Sequence, residues 1–469
     1  MAKALSPEEQ HKRMTETSVT KLVISLSIPT VLSQMITSVY NMADTYFVTS
    51  LGDSSVGAIS IVFAFQSIIQ AIGFGLAMGA SSLVSRKLGQ EENQEANKYA
   101  SCAFYAAFVM GLLLMAGCLI DLNGLLRLFG STETILPYAH DYAFIILLGA
   151  PIMCASFVMN NVTRAQGHAV MAMVGLTAGG ILNMLLDPLF IFGFGMGTAG
   201  AAIATALSQM VSFFILLLQC NLRRDTISIH PRHFRPTKKM YWKILYVGFP
   251  SLGRQGIASV ANILLNNTVK ACVTLALQDP AISAISIVSR FVMFINSSVI
   301  GFGQGFQPVC GFNYGAGQYS RVRKAFWFSV KVTTMILLVL GLVAFIFARP
   351  IITAFRAEDA EVIRIGTLAL RMHLITIPLW GFIVMGNMFT QSIGYGGRAT
   401  LLSASRQGIF LIPALLTLPR VLPLAEANVP FAIAAAQPVA DALSLVMAIF
   451  IVMSIMKQFK QMPDKPQAP

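Results

Sequence analysis

Long apolar segments separated by short polar loops make up most of this chain, and they constrain its fold more than any other feature. Of the 469 residues, 55% are hydrophobic and only 11% are charged, whereas soluble domains carry about 25% charged residues. A helix of about 20 apolar residues is long enough to cross a bilayer. Hydropathy divides the chain into twelve predicted spans, at 22–49, 56–80, 97–120, 138–161, 168–192, 197–219, 244–268, 281–305, 323–347, 365–390, 398–420 and 430–456. The sequence therefore predicts an all-α, polytopic membrane protein.

The distribution of positive charge predicts how these spans are oriented. Most of the 33 Lys and Arg residues lie in the N-terminal tail (1–21), the loops after even-numbered spans, the central linker (221–243) and the C-terminal tail (457–469). Because short cytoplasmic loops are enriched in Lys and Arg, we expect both termini to face the cytoplasm. This topology also accounts for the net charge of +13, so no nucleic-acid partner is predicted.

The two halves of the chain repeat each other. Pro29, Gln34, Ser38, Val39 and Asn41 recur at a constant spacing as Pro250, Gln255, Ser259, Val260 and Asn262, and later pairs are Gly75 with Gly301, Gly79 with Gly305, Gly89 with Gly315, and Asn160 with Asn387. Each half has six spans, an even number, so both halves have the same orientation. The sequence predicts two parallel six-helix bundles, an N-lobe at 22–220 and a C-lobe at 244–456. Transporters built from such repeats bind their substrate between the halves.

Two carboxylates lie inside apolar spans of the first half, Asp44 in span 1 and Asp187 in span 5. A charge in hydrocarbon costs from about 3 to more than about 10 kcal/mol, so such residues suggest a functional site. Asn183 lies four residues before Asp187 and therefore on the same helix face. Pro188 removes a backbone hydrogen bond beside Asp187. These side chains form a candidate site for a proton or Na⁺.

Neutral polar side chains in neighbouring spans extend this candidate site. Asn160 in span 4 and Thr205 in span 6 supply further oxygens, and hard oxygen ligands suit a small cation. For each of these neutral residues an interhelical hydrogen bond, worth about 0.6 kcal/mol on average, is the alternative role. Apart from H⁺ or Na⁺ at Asp44 and Asp187, we predict neither a metal nor a cofactor.

The second half lacks the matching acids. Leu265 occupies the position of Asp44, and span 10 has no carboxylate, but Arg254 and Arg290 lie within spans 7 and 8. An intramembrane arginine pairs with a carboxylate or carbonyl, or lines a wet cavity. Flexible, polarisable methionines suit promiscuous apolar ligands. The candidate substrate-cavity residues are Gln34, Met35, Tyr40, Asn41, Met159, Met184, Arg254 and Arg290.

Signatures of enzymes and ATP-driven pumps are missing. The sequence has no H-E-x-x-H, no G-x-S-x-G and no P-loop motif, and its six cysteines show no C-x-x-C spacing. The glycine-rich stretch at 193–200 joins two apolar spans and is predicted to be an interhelical turn. Transport energy is therefore expected from an ion gradient. A flippase for a lipid-linked precursor is the alternative, slightly favoured by Arg254 and Arg290, and a membrane-embedded lipid enzyme is a more distant one.

Four stretches together resemble the multidrug and toxic compound extrusion (MATE) family: MADTYFVTSLG at 42–52, GFGLAMGASSLVSRKLGQ at 73–90, NMLLDP at 183–188 and GFGQGFQPVCGFNYGAGQYSRVRKA at 301–325. The resemblance extends over residues 20–456. It implies a V-shaped fold of two six-helix lobes around a central cavity. It also implies export of amphipathic, often cationic, drugs by antiport with H⁺ or Na⁺, with alternating access to the two sides.

The resemblance also assigns roles to individual residues. Asp44 and Asp187 match the acid pair of the family's first-lobe cation site, joined by Asn183, Thr205 and Asn160. Pro29 matches the position that lets helix 1 bend on protonation. We expect no second cation site in the C-lobe. The expected partners are drugs and the lipid bilayer, and the expected location of the monomer is the bacterial cytoplasmic membrane.

Overall fold

A computed structural model of the protein describes residues 6–49, 51, 53–222, 227–355, 359–421 and 429–465. Within these ranges the regular structure is helical, and no β-strand occurs. The predicted all-α class is confirmed.

The first half contains eight α-helices in the described residues, six of them long. In chain order they are α1 (Pro7–Glu16), α2 (Val19–Thr49), α3 (Asp53–Gly89), α4 (Asn93–Ile120), α5 (Leu122–Leu128), α6 (Leu136–Ala165), α7 (Ala169–Pro188) and α8 (Gly197–Leu222). The long helices α2, α3, α4, α6, α7 and α8 correspond to predicted spans 1 to 6, and they form the N-lobe.

The second half follows the same pattern with more interruptions. Its helices are α9 (Lys238–Cys272), α10 (Leu275–Gly315), α11 (Tyr319–Ile346), α12 (Ala348–Phe355), α13 (Ala360–Thr376), α14 (Trp380–Ser392), α15 (Gly396–Ala404), α16 (Leu411–Val421) and α17 (Val429–Gln461). A 3-10 turn joins α13 to α14, and a π-helical turn lies between α15 and α16. These pairs form spans 10 and 11 of the C-lobe.

Among the described residues, eleven helical segments are long and apolar enough to cross a membrane. Predicted span 7 is not one of them, because polar residues such as Arg254, Gln255 and Asn262 interrupt the apolar run of its 35-residue helix α9. This helix nevertheless packs within the bundle, against α3 and α15. The protein is therefore a multi-pass membrane protein whose helices follow the order of the predicted spans.

The internal repeat is visible in matched hydrogen bonds. Asn160 Nδ2 donates to the carbonyl oxygen of Ala172 at 2.9 Å. In the second half, Asn387 Nδ2 donates to the carbonyl oxygen of Ala399 at 2.8 Å. Both bonds join the end of one span to the start of the next, so the two lobes share local structure as well as helix order.

The repeated glycines lie where the two lobes touch. A Cβ atom at Gly79 would lie 2.1 Å from the carbonyl oxygen of Ile244, and one at Gly305 would lie 2.4 Å from Ser27 Cα. Helix α3 thus meets α9, and α10 meets α2 in the corresponding way. Small residues permit such close helix approach in membranes, which explains why glycine recurs at these positions.

Hydrogen bonds reinforce the same interface. Ser27 Oγ donates to the carbonyl oxygen of Phe302 at 3.0 Å, and Thr30 Oγ1 donates to that of Gly301 at 2.6 Å. On α3, Ser82 Oγ donates to the carbonyl oxygen of Gln391 at 2.8 Å. These contacts lie near the start of α2 and the end of α3. The lobes are therefore closed against each other at the end of the bundle that holds α1.

Helix α1 lies across this closed end and contacts both lobes. The Gln10 side chain donates to the carbonyl oxygen of Gln166 in the N-lobe. Asn313 Nδ2, in the C-lobe, donates to the carbonyl oxygen of Met14 at 3.2 Å, and the Met14 side chain is buried. Part of the polar N-terminal tail thus forms a docked helix, which hydropathy alone did not predict.

Candidate functional site

Helices α2 and α7 pack side by side and bring the predicted acids towards each other. Tyr40 on α2 lies against Gly180, where a Cβ atom would be 2.9 Å from Tyr40 Cδ1. Farther along, the Phe47 and Phe192 rings meet edge to face with centroids 6.5 Å apart. Asp44 lies between these two contacts, on the same face of α2 as Tyr40.

Asp187 lies near the end of α7 and is fully buried. Asn183 Nδ2 donates to Asp187 Oδ1 at 3.1 Å and approaches Thr205 Oγ1 of α8 at 3.3 Å. Asp44 is close enough for its charge to act on Asp187. The structure therefore brings together four of the five residues predicted for cation coupling.

Tyr142 and Gln66 belong to the same cluster and were not predicted. The hydroxyl of Tyr142, on α6, lies near the side chains of Gln66 and Thr205 and within the electrostatic reach of Asp44 and Asp187. Gln66 could have been found as a polar residue in the middle of span 2. Tyr142 could not, because a tyrosine near the start of a span is also typical of the membrane interface.

Asn160 is placed outside this cluster. Its amide bonds to Ala172, at the start of α7. Ala172 precedes Asp187 by about 22 Å along the helix axis, at 1.5 Å per residue. The matching bond of Asn387 occurs in a lobe without the acid pair. The geometry of Asn160 therefore fits the interhelical hydrogen bond that the sequence left open as its alternative role.

The two carboxylates leave oxygens without donors. Asp44 Oδ1 and Asp187 Oδ2 are both buried and accept no hydrogen bond from the described residues. A buried oxygen without a donor is costly, and a bound proton or cation would remove that cost. With Asn183 and Thr205, the site offers hard oxygen ligands suited to Na⁺ as well as to H⁺. No group of three His, Cys, Asp or Glu side chains that could hold a metal occurs in the described ranges.

The backbone changes its winding beside the acid pair. Helix α7 ends at Pro188, which has no N–H to donate, and continues as a π-helical turn over Leu189–Gly193. Gly195 and Gly197 then adopt positive φ angles of 67° and 55° before α8. The glycine-rich stretch is thus the interhelical turn that was predicted. π-Helical turns inside helices are frequent at functional sites.

Pro29 lies inside α2 and is buried. It is flanked by Ser27 and Thr30, which bond to α10 of the C-lobe. The part of α2 beyond Pro29 carries Asp44 and packs on α7. Pro29 thus separates the segment held at the lobe interface from the segment that carries the acid. Its hinge role remains a prediction.

The candidate substrate-cavity residues differ in their exposure. Met159 is fully buried in the core of the N-lobe and presents no surface to a cavity in this conformation. Arg254 lies near Arg406 and, like Arg290, has no ion-pair partner in the described part of the chain. All candidates except Met159 are half-buried or exposed, namely Gln34, Met35, Tyr40, Asn41, Met184, Arg254 and Arg290.

The C-lobe contains a different kind of acidic centre, whose partners were not predicted. Asp441 is fully buried and accepts hydrogen bonds from Arg406 Nε at 2.8 Å, Trp380 Nε1 at 2.8 Å, Thr376 Oγ1 at 3.0 Å and Gln437 Nε2 at 2.9 Å. The Arg406 guanidinium also stacks over the Trp380 ring at 3.6 Å. Both oxygens of Asp441 are therefore paired, unlike those of the acids in the N-lobe.

Two repeated helical lobes, with a pair of acids inside the spans of one of them, define a membrane transporter fold. The MatE family model matches residues 29–189 and 257–416, once in each half. The chain belongs to the MatE family, which indicates a transporter rather than an enzyme.

Curated relatives and solved structures agree with this assignment. The multidrug export protein MepA of Staphylococcus saprophyticus is 25% identical over 409 residues, covering 87% of this chain and 89% of that protein. MepA of Staphylococcus haemolyticus is 24% identical, covering 88% and 89%. An outward-facing MATE transporter of the MOP superfamily is 26% identical, with a TM-score of 0.88 over 95% of this chain and 98% of that one. A MATE structure in a bent conformation has a TM-score of 0.86 at 26% identity, covering 98% and 100%.

Proposed function

We propose that the protein is a secondary active multidrug exporter that moves amphipathic, often cationic, compounds in exchange for H⁺ or Na⁺. Membership of the MatE family and the similarity to MepA support multidrug export. The observation that carries ion coupling is the pair of Asp44, which is half-buried, and Asp187, which is fully buried, each with a buried oxygen that accepts no hydrogen bond from the described residues. In the C-lobe, by contrast, Asp441 is fully paired and offers no such oxygen.

In the proposed mechanism, binding of a proton or Na⁺ neutralises the acid pair and changes how α2 packs on α7. Helix α2 also contacts α10 across the lobe interface. A bend at Pro29 would therefore transmit ion binding to the space between the lobes, where we place the drug. Coupling requires the ion and the drug to bind the two states with different affinities, and that linkage is reciprocal.

We place the protein in the bacterial cytoplasmic membrane as a monomer with both termini in the cytoplasm. The excess of Lys and Arg in the even-numbered loops supports this orientation. The end at which the lobes are closed would then be the cytoplasmic end. The conformation described above would be the one that releases drug to the outside.

Dye efflux from proteoliposomes tests the proposal, with a pH gradient and a Na⁺ gradient imposed separately. Asp44→Asn and Asp187→Asn each remove a charge with little change in shape, and we expect both to abolish gradient-driven transport. Asp121→Asn is the matched control, because Asp121 is exposed and caps α5 through Gly124 N, a role that Asn can also fill. Wild-type coupled transport in both acid variants would contradict the assignment.

A flippase for a lipid-linked precursor is the second candidate. Half-buried Arg254, without an acid partner in the described part of the chain, favours it because a cationic cavity wall attracts phosphate. Translocation of a fluorescent lipid pyrophosphate in the same vesicles separates the two functions. Lipid translocation that is lost in Arg254→Gln but retained in Asp187→Asn would favour the flippase.

A further inference from the structure

A cavity of about 340 Å³ lies at the closed end of the lobe interface and has walls from both lobes. The N-lobe contributes the end of α3 and the start of α4. The C-lobe contributes the start of α9, the end of α10 and the loop between α14 and α15. We call it the junction pocket, and its main polar lining residues are Arg86, Lys87, Tyr99, Lys243, Tyr246 and Tyr314.

The junction pocket has an excess of positive charge. Among the described residues, its lining includes three cationic side chains and no carboxylate. Lys87 pairs with Glu92 outside the pocket at 2.7 Å. Lys243 is exposed and has no ion pair within the described ranges. The pocket therefore has a net attraction for anions.

Arg86 is held in a fixed position at the back of this pocket. Its Nε donates to the carbonyl oxygen of Ser82 at 3.1 Å, and its Nη1 donates to that of Ile393 at 3.3 Å. Gly394 makes this possible, since a Cβ atom there would lie 2.1 Å from Arg86 Nη1. Its φ of 89° also favours glycine. The guanidinium thus bridges the two lobes. Within the described residues its Nη2 donates no hydrogen bond, so it is available to a ligand.

An apolar helix face begins directly beside the pocket. Trp242, Leu245 and Phe249 on α9 are 70%, 48% and 53% exposed and recur at helical spacing. Tyr246 belongs to the same face, lines the pocket, and accepts a hydrogen bond from Gly397 N at 3.0 Å. A tryptophan at the end of an apolar stripe is typical of the membrane–water interface. The cationic pocket and the apolar stripe therefore meet at the level expected for the lipid headgroups.

We propose that the junction pocket binds an anionic phospholipid, with its phosphate between Arg86 and Lys243 and its acyl chains along Trp242, Leu245 and Phe249. The lipid source is favoured over free phosphate because the exposed stripe continues from the pocket into the hydrocarbon region. Arginine and lysine both recognise phosphate, and the three tyrosine hydroxyls can donate to its oxygens.

The bound lipid would stabilise the conformation in which the lobes are closed at this end. This consequence rests on the proposed alternating access. Arg86 and Tyr99 belong to one lobe, whereas Lys243 and Tyr246 belong to the other. Separation of the lobes would divide the pocket and lose the site. A ligand that binds one of two states shifts the equilibrium towards that state.

Native mass spectrometry of the purified full-length protein tests the site without a gradient or a drug. Phosphatidylglycerol, phosphatidylcholine of the same acyl chains, and inorganic phosphate are titrated separately. We expect one phosphatidylglycerol to bind more tightly than phosphatidylcholine, and Lys243→Gln to weaken it about fivefold, as for the loss of one surface lysine near a lipid phosphate. Arg86→Lys, which keeps the charge but loses the planar fork, should weaken it as well.

Lys239→Gln is the matched control, because Lys239 is exposed one turn earlier on the same helix and does not line the pocket. Equal weakening by Lys239→Gln and Lys243→Gln would indicate diffuse attraction and overturn the proposal. Equal affinity for phosphatidylcholine, or competition by inorganic phosphate at the affinity of the lipid, would overturn it too. Failure of drug export with intact lipid binding would instead contradict only the proposed function.

Discussion

Asp441 and Asp187 are aspartates whose hydrogen bonding differs between the two lobes. Both are fully buried. Asp441 has an arginine partner and donors to both oxygens, whereas Asp187 has a donor to one oxygen and none to the other among the described residues. A satisfied carboxylate holds helices together. A carboxylate that has one oxygen without a hydrogen-bond donor and lies beside a second acid is suited to binding and releasing an ion.

The paired centre of the C-lobe is therefore predicted to matter for stability. Asp441→Asn leaves Arg406 without its charge partner, and breaking a buried pair costs about 3–5 kcal/mol. We expect a fall of several degrees in the thermal unfolding midpoint of the detergent-purified protein. Asp141→Asn, at an exposed site, is the control and should leave the midpoint unchanged. An Asp441→Asn midpoint equal to that of the wild type would show that the pair is dispensable.

Among single residues, spacing along one helix predicted which side chains lie together, whereas the contacts between helices could not be predicted. Asn183 and Asp187 are four residues apart on α7, so their hydrogen bond follows from helix geometry. Tyr142 meets Thr205 only because α6 packs against α8. Asn160 was grouped with the acids, yet it bonds at the opposite end of α7. Depth in the membrane, which separates these cases, depends on where each helix begins.

At the scale of the helix, glycine positions determine how closely the lobes approach. Gly79→Ala would place a methyl group 2.1 Å from the backbone of α9, so the two helices must shift. Overpacking of this kind costs about 1–3 kcal/mol, and we expect a lower unfolding midpoint.

Gly117→Ala is the matched control for Gly79→Ala. Gly117 also lies inside a long helix, but no atom of the described residues comes within 4 Å of a Cβ atom there. Alanine is favoured over glycine in a helix by about 1 kcal/mol, so this variant should be neutral or stabilised. Equal destabilisation by the two variants would mean that lobe contact is not the cause.

Helix α1 gives a second prediction at this scale. Arg321 Nη2 donates to the carbonyl oxygen of Thr17 at 2.6 Å, and Arg321 Nε donates to Asn313 Oδ1 at 2.8 Å. Arg321→Gln removes charge-assisted bonds worth about 1.5–3 kcal/mol. We expect the undocked population of α1 to rise at least about tenfold. Trypsin should therefore cleave faster after Lys12 and Arg13. Lys324→Gln, an exposed change on the same helix, should leave the cleavage rate unchanged; if it accelerates cleavage equally, Arg321 does not hold α1.

At the scale of the whole molecule, the repeat produces an interface of two related halves. Ser38 Oγ of α2 donates to Ser297 Oγ of α10 at 3.0 Å, farther from the closed end than the bonds of Ser27 and Thr30. The proposed alternating access requires this contact to separate. A covalent link between these two positions would hold the lobes in the conformation described here.

Cysteines at both positions test that requirement. In a background without the six native cysteines, we expect Ser38→Cys with Ser297→Cys to cross-link under oxidation and to stop drug transport. Reduction should restore transport, and either single variant should be insensitive to oxidant. Full transport by the cross-linked protein would show that the two helices do not separate there.

The sequence by itself determined the helical class, the order of the membrane segments, the repeat and the candidate acids. Hydropathy, residue spacing and duplicated motifs are properties of the sequence itself, so they can be identified without a tertiary structure. Only the tertiary structure decided that Tyr142 and Gln66 join the acid pair, that Asp441 pairs with Arg406, and that basic residues of both lobes enclose the junction pocket. These contacts depend on the depth and packing of helices that are distant in the chain. Small residues such as Gly79 and Gly305 set this packing by allowing close approach, and the periodicity of the sequence does not encode it.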